Sequence, residues 1–276
     1  MLPANTPRRS AFTLIELLVV IAIIALLVGL TTAAAQKIRI AGQRTVIFSD
    51  IGQLNNGVES FKQKFKVDHL PSHFVLTSQV PAIGTPERVY YNYLKRLFPQ
   101  WLRGASPGAP TGLPDRELNG NQCLVFFLGG VNYQGFSDNP RNPFQNSDMN
   151  PNRIGPFFEF KVNRVDTNGQ YLDPNDTPYV YHTAVKRRYG ASPLSAMPTT
   201  GNPTSPPPVS VPPLRQQSNG QNIFVNSHSF QIISAGVNGQ FGSAGIWDPG
   251  TGAYADGAPG GDDLSNFHDA QLSVAN

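Results

Sequence analysis

Residues 12–30, FTLIELLVVIAIIALLVGL, form a 19-residue apolar run that carries a single charge, Glu16. As a helix the run is about 28 Å long, close to the ~30 Å hydrocarbon core of a bilayer. Arg8 and Arg9 precede it, so this end is expected to stay cytoplasmic and the rest of the chain to lie outside. A carboxylate at that depth costs several kcal/mol unless it meets a partner. Any reading of the N-terminus therefore has to account for Glu16.

No proline occurs between Pro7 and Pro71. Beyond the apolar run, Ile47, Ile51, Leu54, Val58, Phe61 and Phe65 follow one another at steps of 4, 3, 4, 3 and 4. That spacing predicts a helix with one apolar stripe, packed on a core. Asp50, Gln53, Asn55, Lys62 and Lys64 lie between the stripe positions and are expected to face water. Together these features predict one helix from about residue 12 to about residue 66, roughly 80 Å long and stopped by Pro71. Gly42, Gly52 and Gly57 each weaken it by about 1 kcal/mol, so fraying is expected near Gly42.

Downstream, residues 85–102 predict a short second helix, with Thr85 as its cap and Pro86 in the first turn. Residues 122–130, QCLVFFLGG, form a buried apolar segment, helix or strand. Residues 156–165 and 178–185 read as strands, with turn signals between them that include Asn168-Gly169. Residues 191–215 hold eight prolines and predict an exposed loop. Residues 222–236 predict a strand or a strand pair, and nine glycines in residues 236–261 predict a long loop.

Composition narrows the function classes. The chain of 276 residues has a net charge of +3, too little to argue for nucleic acid as a partner. The charge is uneven: residues 1–215 hold all 21 Lys and Arg with 13 of the 18 acids, a net +8, and the other five acids leave −5 on residues 216–276. The single cysteine, Cys123, excludes an internal disulfide and reads as a packing residue. Residues 104–108, GASPG, match the spacing of a nucleophile elbow, but Pro107 has no N–H for an oxyanion hole. His69, His73, His182, His228 and His268 are scattered, and Pro71 forbids a helical pair of the first two; ordinary surface roles are expected for them. The chain is not expected to be an enzyme.

For the N-terminus, a secretory signal peptide cut after the alanines at 33–35 and a plain membrane anchor both leave Glu16 unexplained, and the run is too hydrophobic for a twin-arginine signal. The run FTLIELLVVIAIIALL resembles the prepilin N-terminal motif of type IV pilins and type II secretion pseudopilins. In that family a basic leader is removed by prepilin peptidase, the new N-terminal Phe is methylated, and the fifth residue after the cut is Glu. The resemblance implies cleavage between Ala11 and Phe12, N-methylation of Phe12, and an assembly role for Glu16, paired with the N-terminal amine of a neighbouring subunit. Two positions depart from the pattern: Ala11 stands where the family usually has Gly, and Ala33 where many members have a helix-kinking proline.

The resemblance continues in residues 49–72 at Ser49, Asp50, Ile51, Leu54, Lys62 and Pro71, and is strongest to the major pseudopilin. Near the C-terminus, SAGVNGQFG (234–242) and DDLSNF (262–267) resemble that family's calcium-binding loop, although residues 243–261 separate them here and Asn238 stands where Asp is usual. Calcium takes six to eight oxygens, and glycines let a loop turn its carbonyls inward. The implied Ca²⁺ ligands are Asn238, Asp262 and Asp263, with Asp248 or Asp256 as compensating acids; no EF-hand loop is present. Residues 72–221 match no motif of the family.

The expected fold is α+β: a long N-terminal helix, transmembrane and then amphipathic, packed by its last third on a small antiparallel sheet with long loops, the pilin-like lollipop. The implied organisation is a leader at 1–11, a transmembrane and assembly helix at 12–30, the amphipathic half at 31–70, and a periplasmic domain at 71–276 containing the loops 191–215 and 236–263. The implied partners are prepilin peptidase, identical and related pseudopilin subunits, and an inner-membrane secretion assembly platform. The implied function is a subunit of a type II secretion pseudopilus, single-pass in the inner membrane before assembly. A pilin of a surface fibre is the alternative within the class, and a secreted or anchored enzyme or binding protein the alternative outside it.

Overall fold

The computed structural model describes residues 14–190, 192–195, 211–218, 220–242, 246–248, 254 and 258–273. The chain divides into two compact units, Met1–Gln43 and Arg44–Asn276. One helix, α1 (Leu14–Phe65), passes from the first into the second without interruption at Gly42.

The described part of the first unit is helix alone. Every Leu, Ile and Val from Leu14 to Leu30 is exposed, and the segment is long and apolar enough to cross a membrane. Just beyond it, the Thr31 hydroxyl donates to the Leu27 carbonyl at 2.9 Å and that of Thr32 to the Val28 carbonyl at 2.7 Å. Both polar side chains are thus satisfied by their own helix.

In the second unit, Ile47, Ile51, Leu54, Val58 and Phe61 are buried as the spacing predicts, while Phe65 is half-buried. The helix ends before Pro71: Lys66 turns into the left-handed region (φ 53°) and the Val67 N–H reaches back to the Lys62 carbonyl at 3.1 Å. That bond is the Schellman closure of a helix C-terminus.

The rest of the unit is short elements. They are β1 (Phe74–Leu76), α2 (Arg88–Leu97), β2 (Arg116–Leu118), α3 (Gly120–Leu124), β3 (Phe136–Ser137), β4 (Arg153–Ile154), β5 (Val180–Val185), β6 (Arg188–Tyr189), β7 (Arg215–Ser218), β8 (Gln221–Phe224), β9 (Phe230–Ser234) and β10 (Leu264–Ser265). Residues 122–130 are helical: α3 carries a capping box from Asn119 and Gln122 and runs on as a π-helix, Val125–Gly129. Among the described residues the strands form four antiparallel sheets: β1-β2, β3-β4, β7-β8 and β10-β9-β5-β6. In the last, Val180 faces Ile233 and Leu264 faces Ser234. The segment 222–236 therefore holds two strands, as its pattern allows, but they belong to different sheets.

Three local expectations are corrected. Residues 156–165 form no strand; Phe158 and Phe160 are buried on an extended segment that ends in a 3-10 turn at Val162–Arg164. Alternation records burial of one face, and here no strand lies alongside to complete a ladder. Thr85 does not cap α2; its hydroxyl donates to the Ala82 carbonyl at 3.1 Å, and the helix starts three residues later without a side-chain cap. The described ends of the proline-rich segment are only partly exposed: Pro193 and Arg215 are exposed, but Leu194, Ser195, Val211 and Leu214 are buried; residues 191 and 196–210 lie outside the described residues.

The stripe of α1 meets aromatic rings more than a sheet face. Phe61 packs on Phe127 of the π-helix at 5.6 Å and on Phe157 at 5.5 Å, both edge-on, the geometry that ring quadrupoles favour. The sheet touches the helix at its flank, where the Lys62 ammonium lies 5.9 Å from the Phe230 ring centre. Gly57 marks the closest approach: a Cβ there would sit 2.8 Å from the Phe157 carbonyl oxygen. The residue that weakens the helix is the one that lets the extended segment reach it.

Asp50 corrects a larger expectation. It does not face water; it is buried, and its Oδ2 lies 2.7 Å from Arg164 Nη2. The Tyr179 hydroxyl donates to the same oxygen at 3.1 Å. Arg164 also donates through Nε to the Leu172 carbonyl at 2.8 Å and stacks on the Tyr171 ring at 4.7 Å. Buried Asn121 joins the two tyrosines, donating to the carbonyls of Tyr171 (2.9 Å) and Tyr179 (2.7 Å) and accepting from the Tyr171 N–H (2.6 Å).

In a soluble fragment starting at Gln36, Asp50→Ala is expected to destabilise by about 3 kcal/mol, because it leaves a largely buried guanidinium without its partner. Adding Arg164→Met is expected to recover part of that loss in urea denaturation. Strictly additive losses would show that the two side chains are not coupled.

Candidate functional site

Two regions hold the residues singled out by the sequence. At the N-terminus, Ala11 and Phe12 lie outside the described residues. Glu16 lies in the first turn of α1, where its negative charge complements the positive end of the helix dipole. Around it the apolar side chains are widely exposed, Ile15 at 70% and Leu17 at 60%. Glu16 is thus the one charged residue among the described residues 14–30.

The second region is the described part of the C-terminal loop. Gly236 leaves β9 with φ +66°, and a Cβ there would lie 2.8 Å from Asp262 Cγ, so the turn and the carboxylate fit together only around glycine. Asp262 Oδ2 accepts the N–H groups of Val237 (2.6 Å) and Asn238 (2.9 Å). Asn238 Oδ1 accepts the Gln240 N–H at 2.6 Å. Asp263 Oδ2 accepts the Gly242 N–H at 3.1 Å. Residues 234–242 and 258–265 are thereby laced together across the intervening insertion, and Asn238, Asp262 and Asp263 share one neighbourhood.

The other oxygen of each aspartate, Asp262 Oδ1 and Asp263 Oδ1, is buried and accepts nothing. Asp263 is 1% exposed. Burial, and to a lesser extent the Asp262 charge, push its carboxyl up to about 7, against the opposing Gly242 N–H. Two orphaned carboxylate oxygens in a site short of positive charge suit a divalent cation. No group of three or more His, Cys, Asp or Glu side chains converges among the described residues, so any further oxygens must be carbonyls, amides or water. Asp248 is exposed and Asp256 lies outside the described residues.

One residue of this region escapes the sequence reading. Asp173 is 1% exposed, accepts the Asn175 and Thr177 N–H groups at 2.8 and 3.0 Å, and takes the Ser234 hydroxyl at 2.8 Å. Asn175 Nδ2 then donates to the Gly236 carbonyl at 2.9 Å. The DPNDT turn thus braces the Gly236 turn from the far side. Its sequence signalled a turn but not what the turn supports.

The remaining candidates are structural. Residues 104–108 form turns with no strand before and no helix after. Cys123 is wholly buried, and burial raises its thiol well above the usual range. His73 and His182 are buried rather than on the surface. His73 ties together the Pro193 carbonyl, Tyr90 and Glu117 at 2.8–3.0 Å. His182 Nε2 meets the Val211 carbonyl at 2.7 Å, anchoring the far end of the proline-rich segment. Sequence alone placed neither, because a histidine's burial depends on what folds over it.

A model described as the prokaryotic N-terminal methylation motif, of the type IV pilin and pseudopilin class, matches residues 6–32. No curated protein and no solved structure matches the chain.

Burial depresses His182 to about 4 from its ordinary 6.5. Between those values the unfolded chain takes up a proton that the folded chain refuses, so the contribution of His182 is full above about pH 6.5 and is lost as the pH drops toward 4. Asp263, raised to about 7, contributes the opposite change over the same range, so the histidine is read as the difference between wild type and His182→Gln, which keeps a donor for Val211. In thermal melts of the soluble fragment from pH 7 to 4, His182→Gln is expected to lose less stability, or gain more, than wild type; an identical pH dependence would assign the change to other groups.

Proposed function

We propose that the chain is a pseudopilin: prepilin peptidase cuts it between Ala11 and Phe12, Phe12 is N-methylated, and the subunits polymerise into a type II secretion pseudopilus. The observation that carries this reading is Glu16, the only charge in an exposed apolar helix and the fifth residue after the proposed cut. In the bilayer that carboxylate is costly. Beside the Phe12 amine of a neighbouring subunit it gains an opposite charge at a defined axial height. The exposed apolar side chains gain partners of their own kind as the helices bundle and leave the lipid. The subunit's role is structural, with the inner-membrane assembly platform and related subunits as its partners.

The described C-terminal loop supports a Ca²⁺ site within this reading. Asp262 and Asp263 would hold the ion through their orphaned Oδ1 atoms, with Asn238 as the third side chain. Bound Ca²⁺ would supply positive charge where two acids are buried together, and so fix the loop that follows β9.

Glu16→Ala is expected to insert in the membrane and be processed as wild type, since the span only becomes more apolar, yet to be missing from sheared or purified filaments. Normal incorporation of that variant would sink the assembly role. Mass spectrometry of the mature N-terminus is expected to find methylated Phe12; a terminus at Gln36 would mean ordinary secretion.

For the loop, the soluble fragment is expected to melt higher in millimolar Ca²⁺ than in chelator, by the equivalent of about 2.7 kcal/mol at a hundredfold excess over Kd. Magnesium, which prefers tight octahedral geometry, is expected to do little. Asp262→Ala with Asp263→Ala is expected to abolish the difference, and Asn238→Asp to enlarge it. Absence of Ca²⁺ uptake in calorimetry would leave the loop without a metal role.

A further inference from the structure

Asp173 and Ser234 are buried polar residues that the ion site does not use as ligands. Asp173 Oδ1 takes the Asn175 and Thr177 N–H groups, and Oδ2 takes the Ser234 hydroxyl. Both oxygens are committed to the protein. Asp262 and Asp263 differ, since each keeps one buried oxygen that accepts nothing. A carboxylate whose oxygens are both engaged is poorly placed to hold a cation but well placed to hold a backbone.

The bonds lead from Asp173 to Asp262. Ser234, the last residue of β9, donates its hydroxyl to Asp173 Oδ2 at 2.8 Å and accepts the Gly236 N–H at 3.2 Å. From the other side, Asn175 Nδ2 donates to the Gly236 carbonyl at 2.9 Å. Gly236 is therefore gripped at its N–H and at its carbonyl by groups that Asp173 holds. The grip fixes the backbone at φ +66°. The next two N–H groups, of Val237 and Asn238, then meet Asp262 Oδ2 at 2.6 and 2.9 Å. Strand register acts in the same sense, because Ser234 faces Leu264, two residues after Asp262. With Oδ2 engaged, Asp262 has only Oδ1 to offer an ion.

We propose that Asp173 and Ser234 are positioning residues of the Ca²⁺ site, an inference that rests on the ion reading above. Acting through Gly236, they decide which oxygen of Asp262 is bound to the protein and which is left for the ion. Neither touches the ion. Ligands held in place beforehand need little further ordering when an ion binds. Groups one bond behind the ligands therefore govern affinity, and losing one commonly weakens binding about 10–100-fold. This support comes from the region, residues 72–221, that matches no motif of the pseudopilin family. Residues 243–261 lengthen the tether between Asn238 and Asp262, and a brace from outside the loop offsets the entropy of closing it.

The test uses the full-length chain in detergent, with Ca²⁺ as the only added ligand. Ser234→Ala removes the shared hydroxyl. Asp173→Asn keeps the shape but replaces the acceptor that orients that hydroxyl, and as the isosteric change it carries the test if Ser234→Ala does not fold. Each is expected to weaken Ca²⁺ binding about tenfold or more in calorimetry. The double variant is expected to bind no worse than the weaker single one, because both cut the same relay. His182→Gln, elsewhere on the sheet, is expected to keep the wild-type Kd. A second readout needs no ion: in chelator, hydrogen exchange at the Val237 and Asn238 amides is expected to quicken in both variants while the amides of β5 and β9 stay protected. A role in stability alone would quicken exchange throughout and leave the Kd of the folded chain unchanged, which overturns the proposal. Fully additive losses in the double variant overturn it too. If wild type takes up no Ca²⁺, the ion reading fails and this inference with it; if wild type binds and both variants bind equally well, this inference alone fails.

Discussion

Asp50 and Arg164 form the ion pair on which the second unit turns. A carboxylate on the long helix and a guanidinium from the loop before β5 are held 2.7 Å apart away from water. Neither charge is tolerable there without the other. Around the pair, Arg164 is fixed by the Leu172 carbonyl and the Tyr171 ring, Tyr179 adds its hydroxyl to Asp50, and Asn121 joins the backbones of both tyrosines. One polar network thereby sets how α1, α3 and the strand region meet. The apolar stripe alone would tolerate sliding by a turn; the pair permits one register.

Two of the buried carboxylates, Asp50 and Asp263, meet the same desolvation problem by different routes, and under the proposed function Glu16 meets it by another. Asp50 has a cation from its own chain. Asp263 has one backbone N–H for two oxygens, and burial moves its carboxyl up to about 7. Under the proposed function a Ca²⁺ ion would supply the charge it lacks. Glu16 lies on a helix surface with only apolar neighbours in sequence, and under the proposed function its partner belongs to another subunit. The further the compensating charge lies from the acid, the more the acid serves a function and the less it serves the fold.

Glycine follows a parallel logic. Gly57 costs the helix propensity but lets Phe157 approach, and Gly236 allows the turn that lays two N–H groups on Asp262. Both positions carry a cost that is visible in the sequence and a return that exists only in the folded chain.

Much was legible beforehand. The apolar span, the continuous helix, its buried stripe through Phe61, β5, and the turns of residues 166–177 all follow from periodicity and local turn chemistry, which act over a few residues. The N-terminal motif was legible for the same reason, since it lies within one short stretch of sequence. What the sequence could not fix lay in pairings across distance. Asp50 read as a water-facing residue because the helical wheel shows where a side chain points, not that Arg164, 114 positions away, would be there to meet it. Residues 156–165 read as a strand because alternation reports burial without naming the neighbour. Asp173, His73 and His182 gave no sign of burial, because burial depends on which loop closes over a side chain. The sequence by itself determined the helix and the chemistry along it, through interactions within a few turns; only the tertiary structure decided which charges are paired and which oxygens are left unsatisfied, because those outcomes depend on contacts between segments far apart in the chain.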